Sequence, residues 1–267
     1  MPSTLRQLMP KRLRRLINLF GIRRQGAITS SRWNNWTQPT APQPPDPNPL
    51  ESYFNANTRG PGIWKWRHYF EIYHRHLAKF RNRQPHVLEI GVYSGGSLGM
   101  WQNYFGPGSN IYGVDIEPAC KSYEREGVRI FIGDQADRSF WTNLRQNVPA
   151  LDIIIDDGGH TTAQQIATLE ETLPYLRPGG VYICEDVQSS ANPFLFYIDG
   201  LAGNLHAEEI TGSENPARRQ VSPATPFQSA VHSVHRYPYM VVIERNSTPV
   251  NELIAPKHGT DWQPFLK

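Results

Sequence analysis

The sequence predicts an α/β protein built on a doubly wound, mostly parallel sheet that ends in an antiparallel hairpin. Three observations carry this. Five short apolar runs are each followed at once by Gly, Asp or Glu, which is how buried strands end at a ligand-binding edge. The segments between them are long enough for crossovers, so the strands pair in parallel through right-handed βαβ units. Near the C-terminus two strand-like runs flank Pro238 with almost no spacer, and such close runs pair antiparallel.

The N-terminal elements come first. Pro10 to Phe20 reads as a helix with Pro in its first turn, and Leu13, Leu16, Ile17 and Phe20 share one face. Residues 1–45 hold eight Lys or Arg and no acid, the first being Asp46. A basic amphipathic helix of this kind fits three roles: contact with an anionic membrane surface through residues 10–24, an organelle transit segment, or a helix that docks on the body or frays. Six prolines in residues 38–49 give an extended linker without helix or strand. The expected organisation is therefore a basic tail over 1–37, a linker over 38–49 and one domain over 50–267. The rest of the chain has 19 basic and 24 acidic side chains, so the domain gives no reason to expect nucleic-acid binding. Two cysteines are too few for a disulfide scaffold, and Cys184 reads as a small buried hydrophobe. No run approaches a membrane span, and a cytoplasmic location is expected.

In the domain, Gly60-Pro61-Gly62 marks a turn and Ile63 to Phe80 keeps helical spacing. Most of its aromatic stripe, Trp66, Tyr69, Phe70, Tyr73, Leu77 and Phe80, is assigned to the core. Strands follow at Val87–Ile90, Ile111–Val114, Val128–Ile132, Ile153–Ile155 and Val181–Cys184. Helices are expected over about 97–104 and 162–176, the second stopped by Arg177-Pro178-Gly179-Gly180. Ala230–Arg236 and Tyr239–Glu244 form the closing hairpin.

The chemistry-bearing residues fall at strand ends. Gly91-Val92-Tyr93-Ser94-Gly95-Gly96 lacks the spacing that brings a backbone against a pyrophosphate, so it suits a cofactor without one. Asp115 ends the second strand, where a carboxylate can accept from both ribose hydroxyls. Asp134 and Gln135 end the third, beside an adenine edge. Asp157 follows the fourth strand, and Glu185 and Asp186 follow the fifth. Three converging carboxylates repel one another, and all-oxygen ligation suits Mg²⁺ or Mn²⁺. The alternative is that Asp156 or Asp157 caps the next helix and Glu185 faces an arginine. His160 can coordinate the metal, cap a backbone group or accept a proton. The last is preferred, because an imidazole with an ordinary pKa of about 6.5 serves as a general base near neutrality.

Leu88-Glu89-Ile90-Gly91, Gly95-Gly96-Ser97, Gly133-Asp134-Gln135, Asp156-Asp157-Gly158-Gly159-His160, Arg177-Pro178-Gly179-Gly180 and Glu185-Asp186-Val187 resemble class I S-adenosylmethionine-dependent methyltransferases. Within that class the sequence is most similar to the metal-dependent sugar O-methyltransferases of macrolide biosynthesis and their cephalosporin-hydroxylase-like relatives, over roughly residues 60–245. The resemblance implies a Rossmann-like, seven-stranded fold and S-adenosylmethionine as cofactor. It implies a donor site at Glu89, Gly91, Tyr93, Ser94, Gly95, Ser97, Asp115, Asp134, Gln135 and Asp156. It implies Mg²⁺ held by Asp157, Glu185 and Asp186, and His160 as base. The family's upstream helix closes over the cofactor, and Lys65, His68, Tyr69 and Tyr73 match it loosely. The implied partner is a hydroxylated small-molecule acceptor, a sugar, and a homo-oligomer is compatible with the family. A catechol-like acceptor, or a non-catalytic adaptor held at a membrane by the tail, are the competing functions.

Overall fold

The computed structural model describes residues 10–31, 33, 47–207, 221–256 and 258–259. Residues 38–46 of the expected linker, and 1–9, 32 and 34–37 of the expected tail, lie outside the described residues. The chain divides into two compact units, residues 1–46 and 47–267. In the first, α1 spans Lys11–Ser31, eleven residues beyond the expected end at Phe20. Gly21 and Gly26 do not stop it, because an isolated glycine costs a helix only about 1 kcal/mol. Leu13, Leu16 and Phe20 are exposed. Among the described residues no helix is long and apolar enough to cross a membrane.

The second unit runs α2 (Pro49–Ala56), α3 (Tyr69–Leu77), β1 (His86–Ile90), α4 (Gly96–Phe105), β2 (Asn110–Asp115), β3 (Val128–Ile132), α5 (Arg138–Asn147), β4 (Leu151–Asp156), α6 (Thr162–Thr172), β5 (Leu176–Cys184), α7 (Pro193–Asn204), β6 (Val221–Pro223), α8 (Pro226–Ala230), β7 (Val231–Tyr237), β8 (Met240–Arg245) and β9 (Glu252–Ile254). The main sheet has seven strands in the order β3-β2-β1-β4-β5-β8-β7. The first five are parallel, and β8 pairs antiparallel with both β5 and β7. This is the predicted mixed sheet, closed by the predicted hairpin. β6 and β9 form a separate antiparallel pair.

Alternation along the strands sends side chains into two cores. Val87, Ile153, Ile155, Val181, Ile183 and Val242 pack on one face with Tyr73, Trp101 and Phe105. Leu88, Ile90, Ile154, Tyr182, Cys184 and Ile243 pack on the other with Trp141, Leu169 and Phe194. Apolar residues on both faces of every central strand are what a sheet covered by helices on both sides requires.

Four expectations need correction. The helix expected over 63–80 begins only at Tyr69 and turns 3₁₀ at Ala78–Phe80. Residues 63–68 are not helical, and Trp66 is exposed rather than core. The reason is tertiary: Lys65 and Trp66 reach across to acids at the ends of β4 and β5. Second, the helix expected over 162–176 ends at Thr172 with a 3₁₀ turn over Leu173–Tyr175, and Arg177-Pro178-Gly179-Gly180 lies inside β5 rather than in a helix-stopping loop. Gly179 has φ +77° and the β4–β5 register shifts beside it, so the motif makes a bulge. Third, neither Asp156 nor Asp157 caps α6. Thr161 does, in a capping box with Gln164. Fourth, Glu185 faces a lysine, Lys65, not an arginine.

α6 also buries Gln165, whose amide atoms find no hydrogen-bond partner among the described residues. An unsatisfied buried amide costs about 1–3 kcal/mol. Gln165→Met, of similar volume, is expected to raise unfolding free energy by that amount in urea titrations. An unchanged midpoint would mean the amide is satisfied in solution.

Candidate active site

At the sheet's carboxyl edge, β1 and β4 are neighbours and the strand order reverses between them. Crevices form at such switch points, and here a cavity of about 690 Å³ opens. Its wall takes residues from the ends of β1 to β5 and from the segment before α3.

The loop after β1 is held by backbone bonds to both neighbouring strands. Gly91 N–H donates to Val114 O at 2.8 Å and Asp157 N–H donates to Ile90 O at 2.9 Å. Gly91 has φ +90°, and a Cβ there would stand 2.0 Å from the Asp157 carbonyl oxygen. Glycine is required on both counts. Tyr93 is left-handed at φ +49°. Asp115 fixes this turn, its Oδ2 accepting from the amides of Val92 and Tyr93 at 2.9 Å each. Asp134 accepts from the Ala136 amide at 2.8 Å.

Gly91, Tyr93, Ser94, Ser97, Asp115, Asp134 and Gln135 all line the cavity, as do Asp157, His160, Glu185 and Asp186. Glu89, Gly95 and Asp156 do not. Glu89 is fully buried and accepts from Ser97 Oγ at 2.9 Å and Trp101 Nε1 at 3.0 Å. Burial raises its pKa against the pull of Lys65. Gly95 packs against the Tyr123 ring. Asp156 lies beneath the wall, accepting from Gln135 Nε2 at 3.0 Å and Tyr182 OH at 3.2 Å. Gln135 in turn accepts from the Gly159 amide at 2.7 Å, so it ties the β3 end to the β4 loop.

The acids after β4 and β5 separate into two groups. Asp157 Oδ1 and Asp186 Oδ2 each lie 3.9 Å from His160 Nε2. That is too long for a hydrogen bond and close enough for one shared ion; ligand atoms of all three lie within 4.8 Å of one another. Two carboxylate oxygens facing one point suit a hard divalent cation, and an uncoordinated imidazole nitrogen beside them can accept a proton. His160 and Asp186 both adopt left-handed backbone, φ +56° and +53°, which turns their side chains into the cavity at some conformational cost. Glu185 belongs to the second group. It accepts from Tyr73 OH at 2.5 Å and from Lys65 Nζ at 2.9 and 3.1 Å. Burial, with Asp157 beside it, pushes its pKa up to about 8.

The donors to these acids come from the segment before and within α3. Lys65 Nζ also donates to Asp157 Oδ2 at 2.5 Å. Trp66 Nε1 donates to Asp186 Oδ1 at 3.0 Å and Tyr69 OH to the same atom at 2.9 Å. Burial alone would depress the Lys65 pKa, but Asp157, Glu185 and Glu89 together raise it. Trp66 and the cavity-lining Ile116, Gln164 and Gln188 were not expected at the site. The signal for the segment was Trp64-Lys65-Trp66: a single charge between two large aromatics, in a run otherwise suited to a core helix.

Comparison with known proteins fits this geometry. A family model described as a methyltransferase domain matches residues 88–187. The chain is 34% identical over 212 residues to 8-demethyl-8-alpha-L-rhamnosyl tetracenomycin-C 2'-O-methyltransferase of Streptomyces olivaceus, covering 72% of this chain and 54% of that one. It is 33% identical over 202 residues to mycinamicin VI 2''-O-methyltransferase of Micromonospora griseorubida, covering 73% and 47%. The chain thus spans about half the length of these relatives. Among solved structures it is similar to the MycE methyltransferase of the mycinamycin pathway in complex with Mg, SAH and mycinamycin VI, with TM-score 0.60, 27% identity, and 76% and 54% of the two chains covered. With the sheet order and the Gly loop at the switch point, these similarities show that residues 88–187 match a methyltransferase domain and that the chain is similar to S-adenosylmethionine-dependent O-methyltransferases.

Proposed function

We propose that the protein is a divalent-metal-dependent O-methyltransferase that moves the methyl group of S-adenosylmethionine to a hydroxyl of a sugar on a glycosylated small molecule. The observation that carries this is one cavity shared by the Gly91–Ser97 loop with Asp115 and by Asp157, His160 and Asp186. In this reading Gly91, Tyr93, Ser94, Ser97, Asp115, Asp134 and Gln135 bind the donor. Glu89 and Asp156 support that wall from behind, and Gly95 shapes its turn. The relatives whose names specify a glycosylated acceptor support the sugar.

Asp157 and Asp186 present oxygens toward one point and would hold Mg²⁺ or Mn²⁺ there, with Glu185 behind them. The ion, when bound, lowers the pKa of an acceptor hydroxyl and fixes its position. His160 accepts the hydroxyl proton at Nε2. The freed oxygen pair forms the new C–O bond as the methyl carbon leaves sulfur, and S-adenosylhomocysteine departs. Such a transfer depends on alignment and on exclusion of water, which the wall formed by residues 62–66 supplies over the acids.

The test is transfer of labelled methyl from S-adenosylmethionine to a panel of rhamnosylated and deoxysugar-bearing polyketides, with the product located by mass spectrometry. Methylation on a sugar hydroxyl that stops with EDTA and returns with Mg²⁺ is expected. A protein that binds the donor yet methylates catechols and no glycoside would move the acceptor class. Transfer that persists through complete chelation would remove the metal.

A further inference from the structure

Lys65 is a lysine where the family resemblance gives only a loose match, and its surroundings are unusual. Its side chain is 3% exposed, and its ammonium lies 2.5 Å from Asp157 Oδ2, 2.9 Å from Glu185 Oε2 and 4.0 Å from Glu89 Oε1. A buried ammonium is stable only when paired, and here three acids pair it. Asp157 is shared. One oxygen holds Lys65, and the other faces His160 Nε2 at 3.9 Å. A monovalent and a divalent cation on two oxygens of one carboxylate repel each other.

The remaining donors do not block an ion. Trp66 and Tyr69 both use Asp186 Oδ1, which leaves Oδ2 directed at His160. Glu185 also accepts from Tyr73 OH, a bond that does not involve Lys65. Lys65 also has somewhere to go. It sits on a flexible four-carbon stem, within a non-helical segment whose neighbour Trp64 is 86% exposed.

We propose that the Lys65 ammonium is the resident cation of this acid cluster, and that a divalent ion must displace it from Asp157 to bind. This rests on the metal-dependent reading above. It makes Lys65 a brake on metal affinity.

The experiment is Mn²⁺ binding to the full chain, followed by the electron paramagnetic resonance signal of free Mn²⁺. Lys65→Met and Lys65→Gln remove the charge, and the second retains hydrogen-bond donors. Both are expected to bind Mn²⁺ at least tenfold more tightly than wild type, and Mn²⁺ should raise their melting temperatures more. Lys65→Arg, which keeps the charge, should stay within about threefold of wild type. Equal or weaker binding by the two neutral variants, or no binding by any form, overturns the proposal. The metal-dependent reading fails separately, as wild-type transfer indifferent to EDTA. Chelator-sensitive transfer with equal Mn²⁺ affinities would remove Lys65's role alone.

Discussion

His160→Ala is expected to lower the rate of methyl transfer by roughly 10²- to 10⁴-fold, the range a positioned general base supplies, while donor affinity stays close to wild type. The two effects separate because of where the side chain stands. His160 Nε2 points between Asp157 and Asp186. The loop proposed to bind the donor is held instead by Gly91, Asp115 and their backbone partners. Removing the imidazole therefore takes away a proton acceptor and leaves the Gly91–Ser97 loop intact. Single-turnover kinetics and calorimetry with S-adenosylhomocysteine measure the two quantities independently. A transfer rate within a few-fold of wild type would strip His160 of the base role. Donor affinity lost in parallel would make it a binding residue.

The second large effect concerns stability and has a definite pH signature. Burial pushes the Asp156 carboxyl up to about 7 from an ordinary 3.8. The folded state thus binds this proton more tightly than the unfolded chain does. By linkage, stability falls as pH rises from about 4 to about 7 and stays low above that. A carboxyl moved from 3.8 to about 7 corresponds to roughly 4 kcal/mol at pH 8. Asp156→Asn removes the charge and keeps an oxygen for Gln135 Nε2 and an amide beside Tyr182 OH. It should be more stable than wild type at pH 8 and similar at pH 4, in parallel denaturant titrations. A difference that does not change with pH would mean Asp156 is not the titrating group.

What could be read from the sequence divides along a physical line. Strands and the hairpin were legible because a parallel sheet buried on both faces demands continuous Val, Ile and Leu, and Val128–Ile132 was placed to the residue. The cavity-lining residues at the ends of β1 to β3 were legible because a strand end at a switch point is where backbone turns leave room for a ligand. Local capping was less so. Asn192 before Pro193, and Asp137 before Arg138, cap α7 and α5, and those short signals passed unread. The acid cluster was legible as a set but not as a division into two groups. That division depends on Lys65 and Tyr73, which lie 92 and 112 residues away from the acids they hold. Helical spacing assigned Ile63–His68 to a helix, because spacing records neighbours along the chain. The bonds that prevent a helix there are tertiary.

The hairpin turn between β7 and β8 carries one more implication. Tyr239 O accepts from Tyr69 OH and from the Val187 amide, and Pro238 O lies 2.9 Å from His68 Nε2. Asp186 and the segment that meets it are therefore propped by residues some fifty positions beyond the last acid. A fragment ending near residue 225 would contain every side chain assigned to chemistry and still lack the buttress that aims them. Anyone grafting this site onto another scaffold, or exchanging acceptor-recognition segments between relatives, has to carry the terminal hairpin as part of the cassette.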